Sequence, residues 1–271
     1  MKIKELQLDF EALFTQVAFG HGYLHYGYWP DGKPDVASLM ALGQAQQAYF
    51  DKMLSHFPAG VKTVLDVGSG TGSNARALAD LGYAMECVCP SARLNAIANE
   101  KLKGEVPIHE TLFEDFSSDK TFDMLIFPES FHYIRLRTAL EQALKYTDRY
   151  ILIFDYFRHE DSEGEDAPRG SYRQFMDAVD GFGGRLKILH DEDVTDRIIP
   201  TFHVLDEIKN TAVRPFAAKV KQGLEQDHRF YNFLFDRILG KAYKRSQRTS
   251  NRFETFPRQY EYRIILMEKT G

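Results

Sequence analysis

Apolar residues recur along the chain in two alternating periods, and their order predicts the fold. Leu6, Phe10, Leu13, Phe14 and Val17 fall at helical spacing and predict an opening amphipathic helix. Gly20 and Gly22 end it, and an aromatic loop follows from Tyr23 to Gly32. Asp35 is the expected N-cap of a second helix, with an apolar stripe through Leu39, Met40, Phe50, Met53, Leu54 and Phe57. Residues 61–67 form a short apolar run near a glycine at each end, the pattern of a buried strand. Residues 84–89, 122–127 and 150–156 read the same way, and 107–109 is a weaker strand. Helical patterns at 73–81, 93–102 and 136–146 separate them. Such alternation predicts a parallel sheet with helices on both faces and right-handed crossovers.

The second half is less regular. Residues 158–169 form an acidic loop containing Glu163, Glu165 and Asp166, which is expected to face solvent. Residues 175–179 read as helix, 185–189 as strand, 205–243 as a long helical region and 260–267 as the last strand. The chain therefore divides as one domain over 1–271. Residues 1–60 are N-terminal helices and an aromatic cap loop, and 61–204 are the core. Residues from about 205 to 258 are a helical insertion or lid, and 259–271 carry the last strand.

Composition narrows the function classes. With 271 residues, 44% hydrophobic and 27% charged, the chain can bury a large core without staples. A net charge of -5 disfavours a nucleic-acid partner. Cys87 and Cys89 are the two cysteines, too local for a useful disulfide. No ligand spacing suggests a zinc site, so no metal is expected. The first ten residues lack the apolar run of a signal peptide, and no window approaches the roughly 18 apolar residues of a membrane span. A reduced, cytoplasmic protein is the expectation.

Candidate chemistry centres on residues 64–72, V-L-D-V-G-S-G-T-G, between a strand and a helix. Gly68, Gly70 and Gly72 permit tight geometry and close approach of a ligand to the main chain. The helix N-terminus beyond them offers unpaired N–H groups. Ser73 occupies the last glycine slot of a dinucleotide fingerprint, and the lysine of a phosphate loop is absent.

This stretch resembles the first motif of class I S-adenosylmethionine-dependent methyltransferases. The resemblance continues in F-D-M-L-I-F-P-E-S-F-H-Y-I (122–134), in the late segment 191–200, and in the loop L-H-Y-G-Y-W (24–29). It spans about residues 20 to 200 and points to the small-molecule branch. It implies a Rossmann-like fold with a mostly parallel seven-stranded sheet flanked by helices, an N-terminal helical cap and a helical insertion before the last strand. S-adenosyl-L-methionine is the implied cofactor. The implied contacts are Asp66, Gly68, Ser69 and Gly70 at the methionine part, and Tyr26 and Tyr28 over the cofactor. Leu112 and Phe113 would flank the adenine, and Pro128 lies in the loop after the fourth strand. Ordinary core packing explains Leu112 and Phe113 equally well, and aromatic clusters are often core.

One departure stands out. The family's second strand usually ends in an acid that binds the ribose hydroxyls, because a carboxylate accepts two charge-assisted hydrogen bonds. Here Cys89 takes that place, followed by Pro90, and a thiol is a weak acceptor. Glu86 lies three residues earlier and is expected on the other face. Either the cofactor binds less tightly, or a neighbouring group replaces the acid, or the fold is redirected to a rearrangement, cyclisation or metabolite binding.

Methyl transfer from a sulfonium needs positioning and desolvation more than activation. A base is required only if the acceptor must lose a proton. Glu129, His132 and Tyr133 follow the fourth strand, at the carboxyl end where open α/β sheets bind ligands. His132 could be that base or a hydrogen-bonded wall of the pocket. Phe216, Phe230, Tyr231, Phe233, Leu234, Phe235 and Ile238 could roof an apolar acceptor pocket, cover the sheet or form a homodimer contact. The basic run Lys241, Lys244, Arg245, Arg248 and Arg252 reads as a solvated face or a lure for an anionic acceptor. The expected partner is a small-molecule acceptor.

Overall fold

The computed structural model describes residues 22–160, 170–227, 244 and 251–270. Its helices and strands, numbered in chain order, start with α1 (Leu39–Leu54) and β1 (Thr63–Val67). Then come α2 (Ser73–Asp80), β2 (Ala84–Val88), α3 (Ala92–Leu102) and β3 (Ile108–His109). The middle holds β4 (Phe122–Pro128), α4 (Leu136–Tyr146), β5 (Thr147–Arg158), α5 (Tyr172–Asp180) and β6 (Leu186–Asp193). Short α6 (Thr195–Ile198) and α7 (Pro200–Ile208) precede α8 (Arg214–Asp227), α9 (Arg252–Gln259) and β7 (Tyr260–Lys269).

The seven strands form one sheet in the order β3-β2-β1-β4-β5-β7-β6. Only β7 runs against its neighbours, pairing antiparallel with both β5 and β6. The sheet is therefore mostly parallel, as the strand–helix alternation requires. Alternate residues of each strand feed opposite faces. Val64, Met124, Ile126, Leu152 and Ile264 pack with Phe50 and Met53 of α1 and with Leu78 and Ala98 of α2 and α3. Leu65, Leu125, Phe127, Ile151 and Ile265 pack with Leu140 and Ala143 of α4 and with Phe175 of α5. Both faces are thus covered, which explains why the central strands read as continuous apolar runs.

Several boundaries moved for local reasons. The α1 N-cap is Ser38, whose Oγ accepts from the Ala41 N–H at 3.1 Å, so Asp35 lies outside the helix. Strand β1 starts at Thr63 because the Asp123 carboxylate accepts the Lys62 and Thr63 N–H groups at 2.8 and 2.9 Å. The predicted strand at 185–189 runs on to Asp193, and 150–156 extends to Thr147–Arg158, because β7 is long enough to pair along both. The region from 205 is helical as far as it is described, with a π-helical turn at Lys209–Val213 between α7 and α8. The opening helix and the acidic residues Glu163, Glu165 and Asp166 lie outside the described residues. So do Phe230 to Ile238, Lys241, Arg245 and Arg248. No helix among the described residues is long and apolar enough to cross a membrane.

Strand order reverses direction at β1, which has β2 on one side and β4 on the other. Ligands of open α/β sheets bind outside the carboxyl ends of the strands at such a switch point. The glycine loop after β1 and the Glu129 loop after β4 both open there.

Candidate functional site

The loop after β1 is shaped by three left-handed glycines. Gly68, Gly70 and Gly72 have φ of 79°, 55° and 72°. The Gly68 N–H donates to the Val88 carbonyl at 2.7 Å and ties the loop to β2. A Cβ on Gly68 would lie 2.3 Å from Ser130 Cβ, so the loop after β4 presses on bare backbone. These loops enclose a cleft of about 290 Å³, lined by Gly68, Ser69, Gly70, Pro128, Glu129 and Tyr133 among others.

Asp66, two residues before Gly68, is wholly buried in β1. Among the described residues neither carboxylate oxygen has a hydrogen-bond partner, and burial pushes its pKa up to about 7. A buried polar group without partners signals a ligand or ion that supplies them. Glu129 is half-buried and holds φ 55°, a strained backbone for a residue with a side chain. Its Oε1 accepts the Tyr26 N–H at 2.8 Å and the Tyr262 hydroxyl at 2.7 Å, and burial raises its pKa to about 8. Glu129 thus latches the aromatic cap loop and β7 to the cleft floor.

These raised carboxyls predict how the ligand-free protein responds to pH. A carboxyl whose folded pKa exceeds its unfolded value favours folding in the protonated form. Stability is then greatest below the ordinary carboxylate range and falls as pH rises through about 7 for Asp66 and about 8 for Glu129. Asp66→Asn is expected to flatten the lower part of this fall in a pH series of thermal melts. An unchanged slope would show that Asp66 ionises freely in the folded protein.

The aromatic cap loop serves more than one purpose. Tyr23 and Trp29 are buried, and Trp29 Nε1 donates to Thr201 Oγ1 at 2.8 Å. Tyr23 and His25 line the cleft, and the His25 ring stacks on Tyr49 at 4.0 Å. Tyr26 turns away from the cleft into a second chamber. Tyr28 lies in neither: it borders a separate pocket with Trp29 and Pro30, below the Lys52 ammonium.

His132 lies between cleft and chamber. Its ring contacts Tyr133, which lines the cleft, at 3.9 Å and Tyr156, which lines the chamber, at 4.4 Å. Nδ1 meets Asp155 Oδ1 at 2.9 Å, and the His132 N–H donates to Oδ2 at 3.0 Å. A proton on Nδ1 bonded to the carboxylate leaves Nε2 as the basic nitrogen. Burial acts to lower the imidazole pKa, but the Asp155 charge and hydrogen bond outweigh it and the net shift is upward. Asp155 was not among the predicted site residues. Its signal was a lone acid within the apolar run of β5.

The chamber has a volume of about 300 Å³ and is walled by Tyr26, Tyr156, Phe202, Phe256 and Tyr260, with Arg252 among its lining residues. Among the described residues no carboxylate pairs with Arg252. Phe216, a predicted roof residue, is exposed on α8.

Other predicted residues fall away from the cleft lining. Phe113 is core, packed edge-on against Phe127 at 5.4 Å, while Leu112 is exposed before it. Pro90 is exposed. Cys89 is buried beside the glycine loop, and burial raises its thiol pKa although the Ser91 and Gly70 amides favour the thiolate. Leu24 and Thr71 lay within the motifs read from the sequence without being named as contacts, and Asn74 and Leu94 were missed, because only the folded helices bring them to the glycine loop. Away from the cleft, His56, His190 and Glu192 cluster within 4.8 Å, but Lys52 already pairs with Glu192 at 2.7 Å.

Residues 65–151 match the sequence model of a family described as methyltransferase domain. That stretch, from β1 into β5, carries the sequence pattern of that family. A segment of 91 residues is 34% identical to the cypemycin N-terminal methyltransferase of a Streptomyces species, covering 33% of this chain and 36% of that one. The match therefore spans about a third of that relative's length. In three dimensions the chain resembles the [4+2]-cyclase SpnF with a TM-score of 0.69 at 18% identity, covering 98% of this chain and 94% of that one. It also resembles geranyl diphosphate C-methyltransferase from Streptomyces coelicolor, in a complex holding S-adenosyl-L-homocysteine. The TM-score there is 0.67 at 14% identity, with 96% and 93% covered. The overall fold is that of class I methyltransferases.

Proposed function

We propose that this protein transfers a methyl group from S-adenosyl-L-methionine to an oxygen, nitrogen or carbon of a small, partly apolar acceptor. The observation that carries this reading is Asp66, buried in β1 with both carboxylate oxygens unpartnered, two residues before the glycine loop that walls the cleft. A cationic or amine-bearing ligand would supply what those oxygens lack. Gly68, Ser69 and Gly70 would hold its amino-acid end, and Tyr23, His25 and Leu24 would cover it. The sulfonium supplies both leaving group and electrophile when bound, so the chain's task is placement and exclusion of water. The aromatic chamber receives the acceptor beside the cleft. His132, with Asp155 fixing its tautomer, takes the acceptor's proton at Nε2 when the acceptor carries one.

Calorimetry with S-adenosyl-L-homocysteine tests the reading, and absence of measurable binding defeats it. A second reading is a methyltransferase fold redirected to rearrangement or cyclisation, prompted by Cys89 and supported by the fold likeness to the cyclase. Mass spectrometry separates the two once an acceptor is found. Methyl transfer adds one methylene to the product and releases S-adenosyl-L-homocysteine. An isomeric product of unchanged mass favours the second.

A further inference from the structure

Strand β2 ends at Val88, but its ladder with β3 continues one residue further. The Cys89 N–H donates to the His109 carbonyl at 3.1 Å. The register pairs Cys87 with Ile108 and Val88 with His109, which sets Cys89 opposite Glu110. Partners in a parallel pair project to the same side, on strands about 4.8 Å apart. A carboxylate therefore stands one strand over from the thiol that replaces the family's acid.

A buried side chain fixes that carboxylate in place. Asn95 of α3 is 3% exposed, and its Nδ2 donates to the Cys89 carbonyl at 3.0 Å and to Glu110 Oε2 at 3.1 Å. Among the described residues Glu110 Oε1 accepts no hydrogen bond, and Asn95 Oδ1 is buried without a partner. The other acid of β2 is already committed. Glu86 pairs with His109 at 2.7 Å and Lys120 at 2.5 Å, and its strand parity puts it on the face opposite Cys89.

We propose that Glu110, positioned by Asn95, supplies the carboxylate that receives the ribose hydroxyls of the bound nucleoside in place of the missing acid at Cys89. The proposal rests on the methyltransferase reading above. A vicinal diol presents two O–H donors, and a carboxylate is the one side chain that accepts both with charge assistance. Glutamate just past the end of the adjacent strand has one more methylene than aspartate, which offsets part of the displacement. Cys89, buried and uncharged, fills the floor below.

The test is calorimetry of S-adenosyl-L-homocysteine against wild type, Glu110→Gln, and the double variant Glu110→Gln with Cys89→Asp. Glu110 is exposed, so its variant keeps the fold, checked by thermal melting. Glu110→Gln is expected to weaken binding by roughly tenfold to a hundredfold, the loss typical of a hydrogen bond to a charged group. Adding Cys89→Asp is expected to recover most of that loss by returning an acid to the second strand. Wild-type binding with Glu110→Gln unchanged would overturn this proposal alone. No binding to wild type would overturn it together with the methyltransferase reading.

Discussion

Replacing His132 by alanine is expected to lower turnover by roughly 10²- to 10⁴-fold, the usual contribution of a positioned general base. Affinity for S-adenosyl-L-homocysteine is expected to stay close to that of wild type. The split follows from position. His132 contacts Tyr133 of the cleft and Tyr156 of the chamber, and its Nδ1 is held by the wholly buried Asp155. It can therefore serve the acceptor without bearing on the cofactor. The pH profile gives an independent readout. A base must be neutral, so kcat/KM rises with pH through the imidazole pKa. Asp155 holds that pKa above the ordinary value of 6.5, so the acid limb is expected above pH 6.5 in wild type. Asp155→Asn removes the charge that raises it, while burial still lowers it, and the limb moves down. Turnover and pH limb both unchanged in His132→Ala would mean that the imidazole is only a wall.

Gly68→Ala is the second large effect, and it acts on fold and cleft together. A methyl there would sit 2.3 Å from Ser130 Cβ, and φ of 79° is a conformation that alanine avoids. Left-handed backbone costs about 1–2 kcal/mol for a residue with Cβ, and overpacking costs about 1–3 kcal/mol more. The neighbour cannot yield cheaply, because Ser130 follows Glu129, which latches Tyr26 and Tyr262. A loss of roughly 2–5 kcal/mol in denaturant unfolding is expected, with S-adenosyl-L-homocysteine binding lost as the two loops are pushed apart. Gly82→Ala is the control. Its φ is 95°, but nothing lies within 4 Å of the added methyl, so it carries the backbone cost without the clash. Equal losses in the two variants would show that the contact with Ser130 is unimportant.

The sequence by itself determined what depends on local pattern. Apolar runs at 61–67, 84–89 and 122–127 place buried strands because both faces of those strands are covered, and the residues of α4 follow directly from a 3.6 period. The glycines at 68, 70 and 72 mark backbone that side chains would obstruct, and all three have positive φ. Their position after a strand and before a helix locates the cleft. What the sequence could not decide was pairing between distant segments. Asp155 lies 23 residues beyond His132, and only β5 beside β4 brings the two together. Tyr26 and Tyr28 are equivalent in the aromatic loop, yet the turn through Thr201 and Glu129 sends one to the chamber and the other to the far side. Phe113 and Leu112 are neighbours that separate into core and surface. The glutamate beside Cys89 directly follows another strand, and its closeness is a matter of register. Periodicity reports which face a residue occupies, but register and crossover decide what it meets there.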